Sequence, residues 1–238
     1  MERELQLTAD GSHTLFVPRL NEHYHSVNGA VQESRHIFIG AGLHAVEKEN
    51  VRLLEIGFGT GLNAFLTLCD GMQSAPEAGR YRHIDYYAVE LYPLEHEIVR
   101  TLNYGERAGV RQRGWFEQLH AAPWNTAVAI NDRFTLHKIA GDSRTCNLPK
   151  AIDLIYFDAF APDKQPEMWE AAMFERLYAI SAPGARIVTY CAKGEVRRRM
   201  QAAGYRMERL PGPPGKRHML SGCKEMSCKE VDGRELID

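Results

Sequence analysis

The segment LLEIGFGTGLN, Leu53 to Asn63, constrains the fold of this chain more than any other stretch. An apolar run stops at three alternating glycines, Gly57, Gly59 and Gly61, and a helical pattern begins at Leu62. Glycine admits backbone conformations closed to other residues and lets a ligand approach the main chain, so this is a tight strand-to-helix turn. From Arg52 the alternation repeats. Strands are expected over 52–56, 84–90, 134–140, 152–158 and 186–191, and helices over 62–72, 93–103, 167–180 and 194–203. Two closing strands near 205–209 and 217–222 read as a terminal hairpin. Strands separated by helices of this length predict an α/β fold with a doubly wound, mostly parallel sheet.

At 238 residues the chain suits one α/β core, and a second large domain is not required. The first 45 residues, with HTLFVPRL and RHIFIG, read as a small N-terminal β appendage leading into a helix. The expected division is therefore an appendage over 1–45, the main domain over 46–223 and a tail over 224–238. Hydrophobic residues make up 44% and charged residues 25%, which excludes extensive disorder. The N-terminus carries neither an apolar signal core nor an arginine-rich presequence, and no apolar run reaches the ~20 residues that span a bilayer. A cytoplasmic protein without a membrane partner is expected. The five scattered cysteines form no CxxC pair, so neither a disulfide framework nor a metal site is expected.

Net charge is −2, yet Arg186 to Arg217 holds nine basic residues against Glu195 and Glu208. That segment carries +7 and the rest of the chain −9. Such polarisation allows a local basic face to meet phosphates in a chain that is acidic overall. A solvated helix face is the plainer reading of the same charges.

In open α/β sheets, ligands bind outside the carboxyl ends of the strands, at the switch in strand order. Four acids fall at those ends: Glu55, Glu90, Asp142 and Asp158. The spacing around the turn is E-x-G-x-G-x-G, and Leu62 stands where a dinucleotide fingerprint requires its third glycine. An acid beside the turn is a poor companion for a pyrophosphate but a good one for a cation. S-adenosyl-L-methionine carries a sulfonium and an ammonium, so the four acids fit it as cofactor. Glu90 is placed to accept the ribose hydroxyls, and Asp142 to meet the adenine amine or the reacting centre. The pattern is that of a class I methyltransferase, with Glu55, Gly57, Phe58, Gly59, Gly61, Leu62, Asn63, Glu90 and Asp142 as cofactor-site candidates.

With these residues in place the chain resembles the tRNA-modifying methyltransferases related to the methyltransferase half of MnmC, including the stand-alone MnmD type. The resemblance rests on NEHYHSVNGAVQESRHIFI, EIGFGTGLNAFLTL, FDAFAPDKQPEMW, VTYCAKGEVRRRMQAAGY and GPPGKRHML, and runs from about Tyr24 to Leu220. The glycine turn is common to many methyltransferases; the D-x-F-A-P-x-K-x-P-x-x-W segment is much more specific. The resemblance implies a Rossmann-like, seven-stranded sheet. It also implies methylation of the primary amine of 5-aminomethyl-(2-thio)uridine at wobble position 34 of tRNA, giving the 5-methylaminomethyl nucleoside. No flavin oxidoreductase activity is expected from this chain, so other enzymes must install the aminomethyl or carboxymethylaminomethyl group.

An amine attacks only when neutral, and an alkylammonium is largely protonated near neutral pH. Asp158, at the end of the strand IDLIYF, is the first candidate to orient the amine and stabilise the charge that develops on it. Asp142 rivals it as proton acceptor. Many amine methyltransferases carry a D/N-P-P-Y/F turn here; DAFAP departs from it, with Phe160 as the aromatic and Pro162 displaced. Lys164 reads either as a phosphate contact or as an exposed loop lysine, and Trp169 with Met173 and Leu177 as core. The resemblance places Tyr24, Ser26 and Glu33 over the cofactor and acceptor pocket, and Lys193, Arg197, Arg198, Lys216 and Arg217 toward tRNA phosphates. A transferase for small-molecule amines and a silent tRNA- or protein-binding module remain the alternatives.

Overall fold

The computed structural model describes residues 2–72 and 80–225. The appendage is a three-stranded antiparallel sheet of β1 (Glu4–Leu7), β2 (His13–Val17) and β3 (Glu22–His23). The chain then enters α1 (Ala30–Ser34), which continues as a π-helical stretch over Arg35–Gly40. Ile37, Phe38 and Leu43 are buried in one cluster with Leu53, Phe65 and Tyr86. The first 45 residues thus share the main core.

The central sheet is built from β4 (Asn50–Ile56), β5 (His83–Glu90), β6 (Ala127–Asn131), β7 (Phe134–Ala140), β8 (Ile152–Phe157), β9 (Ser181–Thr189), β10 (Arg206–Pro211) and β11 (His218–Cys223). Their spatial order is β10-β11-β9-β8-β4-β5-β7-β6. The inner strands β9, β8, β4, β5 and β7 run parallel, and β10, β11 and β6 pair antiparallel at the edges. Its helices are α2 (Leu62–Gly71), α3 (His96–Val99), α4 (Tyr104–Ala108), α5 (Val110–Ala121), α6 (Ala171–Ile180) and α7 (Gly194–Ala202). β8 is buried at every position, as its near-continuous apolar run requires of a strand covered on both faces.

The sheet has eight strands where seven are read from the sequence. The added one is β6, whose short AVAIN segment is half exposed and lacks a strong alternation. The helix expected over 93–103 is cut to α3, and the connection after it folds as α4 and α5. Among the described side chains of α5 the buried ones are Phe116 and Leu119, too few to mark an amphipathic face. The expected 167–180 helix is split by Glu170, which is extended between a 3-10 turn at Pro166–Trp169 and α6. Lys224 still bonds Ala185 of β9, and residues 226–238 of the expected tail lie outside the described residues. Among the described residues no helix is long and apolar enough to cross a membrane.

Chain order runs outward from β4 through β5 to β7, then returns to β8 on the other side of β4. The switch point therefore lies between the carboxyl ends of β4 and β8, where Asp158 N–H donates to Ile56 O at 3.0 Å.

Candidate active site

A cavity of about 600 Å³ opens at this switch point, roofed by residues of the appendage. Its floor is the glycine turn. Gly57 (φ +91°) and Gly59 (φ +49°) hold left-handed conformations, and Gly57 N–H donates to Val89 O of the neighbouring strand at 2.9 Å. A Cβ on Gly57 would stand 2.7 Å from the Asp158 carbonyl oxygen, so the turn presses directly on the backbone that carries this acid. Glu90, ending β5, accepts the N–H groups of Gly59 at 2.9 Å and Tyr92 at 2.8 Å, one on each carboxylate oxygen. Each oxygen keeps a further lone pair for a ligand.

Asp142, after β7, also lines the cavity, but Arg144 grips both of its oxygens, the shortest contact being 2.6 Å. That bond holds its carboxyl below the usual range. Asp158 is the opposite case. Its Oδ2 accepts from Asn63 Nδ2 at 2.8 Å, and burial, with Glu33 second, pushes its pKa up to about 7. The two candidate proton acceptors are thereby separated by environment.

The loop carrying Asp158 is clamped from below. Trp169 is fully buried and its Nε1–H donates to Phe160 O at 2.7 Å, while Tyr190 O–H donates to Ala159 O at 2.8 Å. Tyr24 packs edge-on against Phe160 with ring centroids 5.1 Å apart. Glu33 joins the roof to the C-terminal hairpin, accepting Ser26 N–H at 2.8 Å and Lys216 Nζ at 2.5 Å. The Lys216 ammonium lies 4.2 Å from the centre of the Tyr190 ring. Tyr24, Ser26, Glu33, Phe160, Lys164 and Lys216 all line the cavity with Asp158.

Several residues expected at the cofactor stand elsewhere. Glu55 is fully buried: side chains alternate along β4, so Leu53 and Glu55 face the α2 side, whereas Ile56 reaches the cavity. There Glu55 accepts from Asn63 Nδ2 and Tyr86 O–H, each at 2.9 Å. Leu62 and Asn63 are buried with it, and Gly61 backs onto His120. Phe58 contributes to the wall, but its ring packs on His120 and Trp124. On the expected acceptor side, Lys193 pairs with Asp163, Arg197 bonds Gln201 along α7, and Arg198 and Arg217 are exposed. None of these four lines the cavity.

The sequence reading missed Tyr190, which holds the Asp158 loop from just past the end of β9. It also missed the support behind the glycine turn. Lys138 is buried, donates to His120 O at 2.8 Å and sits 4.7 Å from the centre of the Trp124 ring; burial lowers its pKa to about 8. His120 Nε2–H in turn donates to Thr60 O at 3.0 Å. The HYHS histidines divide between two partners, His23 bonding Gln6 and His25 bonding Thr60.

A family model described as S-adenosyl-L-methionine-dependent methyltransferase matches residues 108–225. Over these residues the chain is similar to this family. It is similar to the tRNA 5-methylaminomethyl-2-thiouridine biosynthesis bifunctional protein MnmC of Magnetococcus marinus, at 32% identity over 89% of this chain and 32% of that protein. The protein of the same name from Aromatoleum aromaticum is 34% identical over 84% of this chain and 32% of its own length. The chain thus spans about one third of the length of these relatives. Among solved structures, MNMC2 from Aquifex aeolicus superposes with a TM-score of 0.74 over 94% of this chain and 71% of that one, at 23% identity, and shares the fold.

The donor set suits the family's cofactor. Glu90 and Asp142 offer carboxylate oxygens at neighbouring strand ends, and Gly57 and Gly59 let a ligand approach the main chain. A sulfonium and an ammonium are both favoured beside such acids.

Proposed function

We propose that this methyltransferase acts on the primary amine of 5-aminomethyl-(2-thio)uridine at wobble position 34 of tRNA, giving 5-methylaminomethyl-(2-thio)uridine. The function in the name of the MnmC relatives supports this acceptor, since the similarity extends over 84–90% of the chain. The observation that carries the reaction type is Asp158: a carboxylate on the cavity wall, at the strand switch, with a proton affinity near 7.

That affinity suits an amine acceptor. The substrate arrives as an ammonium and must lose one proton before it can attack. Asp158 takes that proton, leaving a neutral amine and a neutral carboxyl. S-adenosyl-L-methionine supplies the methyl group, and the nitrogen becomes a methylammonium that keeps its two remaining hydrogens. Glu33 lies close enough to raise the proton affinity of Asp158, and so adds negative potential where the ammonium is received. Asp142, held by Arg144, is a weak base and suits a role toward the cofactor. Glu90 is assigned to the cofactor hydroxyls, and Tyr24 and Phe160 to the flat face of the acceptor base. Lys164, Arg198 and Arg217 are assigned to tRNA phosphate.

Nucleoside mass analysis of tRNA from cells with and without this protein tests the reading. Loss of one methyl group at the wobble uridine is expected. Unchanged wobble nucleosides, or turnover on free small amines with none on tRNA, would overturn it.

A further inference from the structure

Asn63 lies in the first turn of α2 with its side-chain amide aimed back at the sheet. The Nδ2 group donates to Glu55 Oε1 at 2.9 Å and to Asp158 Oδ2 at 2.8 Å. An amide nitrogen has two hydrogens, and here each is used on a different carboxyl. The same amide's Oδ1 is buried without a partner, so the group is held by its donor end alone. On the far side of Glu55, Tyr86 O–H reaches Oε2 at 2.9 Å. Both of these contacts to Glu55 come from neutral groups.

Two carboxyls joined through one neutral amide, one of them fully buried, disfavour carrying charge together. Glu55 is fully buried, and burial, with Asp158 second, raises its pKa well above the ordinary carboxyl value. The charge of the pair therefore resides on Asp158, which faces the cavity.

We propose that Asn63 and Glu55 are positioning residues for the acceptor amine: Asn63 fixes the Asp158 carboxylate and limits its proton affinity, and Glu55 is the buried acceptor that fixes Asn63. The chemical part of this inference rests on the amine-methylation reading above. A donated N–H stabilises the charged form of a carboxyl, so removing it makes Asp158 a stronger base that stays protonated to higher pH. Turnover then fails at neutral pH through the wrong protonation state and recovers in alkali.

The test is a carbon-13 carboxyl NMR titration of the full chain without ligand, followed by pH–rate profiles with aminomethyl-bearing tRNA. Asn63→Ala is expected to move the Asp158 midpoint upward by about one pH unit, and the acid limb of the rate with it. Glu55→Ala frees the Asn63 amide and is expected to move the midpoint in the same direction. Glu55→Gln keeps an acceptor for Asn63 and is expected to move it less; should Glu55→Ala fail to fold, Asn63→Ala and Glu55→Gln decide the matter. An unmoved Asp158 midpoint in Asn63→Ala, or a rate lowered by one factor at every pH, would overturn the inference. A wild-type protein inactive on the tRNA would instead sink the acceptor assignment, and the NMR titration would still judge the positioning roles.

Discussion

Replacing Gly57 by Ala perturbs the site at the point where two strands meet. The residue sits at φ +91°, and an added methyl would lie 2.7 Å from the carbonyl oxygen of Asp158. Holding a side-chain-bearing residue in a left-handed conformation costs about 1–2 kcal/mol. The overlap with the backbone of a residue whose own N–H is bonded to Ile56 O at the sheet edge costs about 1–3 kcal/mol more. The loss of unfolded-chain entropy returns about 0.4–1 kcal/mol, leaving a net destabilisation of about 1–5 kcal/mol. Urea unfolding should show the midpoint lowered with an unchanged slope. Relief of the overlap moves the Asp158 backbone by some tenths of an ångström, and a displacement of that size lowers turnover by about tenfold. Gly114 in α5 is the control: a Cβ there meets nothing within 4 Å, so Gly114→Ala is expected to stabilise by up to about 1 kcal/mol. If Gly57→Ala costs less than about 1 kcal/mol on the same scale and turns over normally, the coupling of the glycine turn to Asp158 is refuted.

Asp158→Asn should lower turnover by about 10²-fold or more, since general-base catalysis contributes on that scale. Its effect on stability has a definite sign. The folded-state pKa of about 7 lies above the ordinary 3.8, so the native state holds the proton longer than the unfolded chain, and stability is lost as pH rises from about 4 to 7. Thermal melts should therefore show Asp158→Asn gaining on the wild type above pH 7 and not below pH 4. Glu33→Gln removes the charge that pairs with Lys216 and that raises the Asp158 pKa; a loss of about 1–3 kcal/mol in unfolding experiments and an acid limb moved to lower pH are expected. Arg198→Ala with Arg217→Ala should weaken tRNA binding and reduce its salt slope by about two, while calorimetry finds cofactor affinity unchanged.

The α/β alternation was readable because each inner strand and helix carries its own period. β8 is apolar at five of its six positions and is buried throughout, and the Leu62 helix, expected over 62–72, forms as Leu62–Gly71 and is buried along most of its length. β6 and α5 were not readable. Their segments are short or weakly patterned, and what orders them is packing against β7 and α2 rather than any local preference. The strand-end acids show the same division. Glu90, Asp142 and Asp158 reach the cavity, but Glu55, one residue before the end of β4, is turned inward by the pleat.

From the sequence alone came the glycine turn, the alternation of strands and helices, the acids at the strand ends and the family that these resemble. Tertiary structure decided what each acid can do. Arg144 is two residues from Asp142 and makes it a weak base; Asn63 and Glu33 are distant in sequence from Asp158 and, together with burial, govern its affinity for a proton. The types of residue present are a property of the chain. Proton affinity is a property of the neighbours and of the water excluded, and those exist only once the sheet has closed.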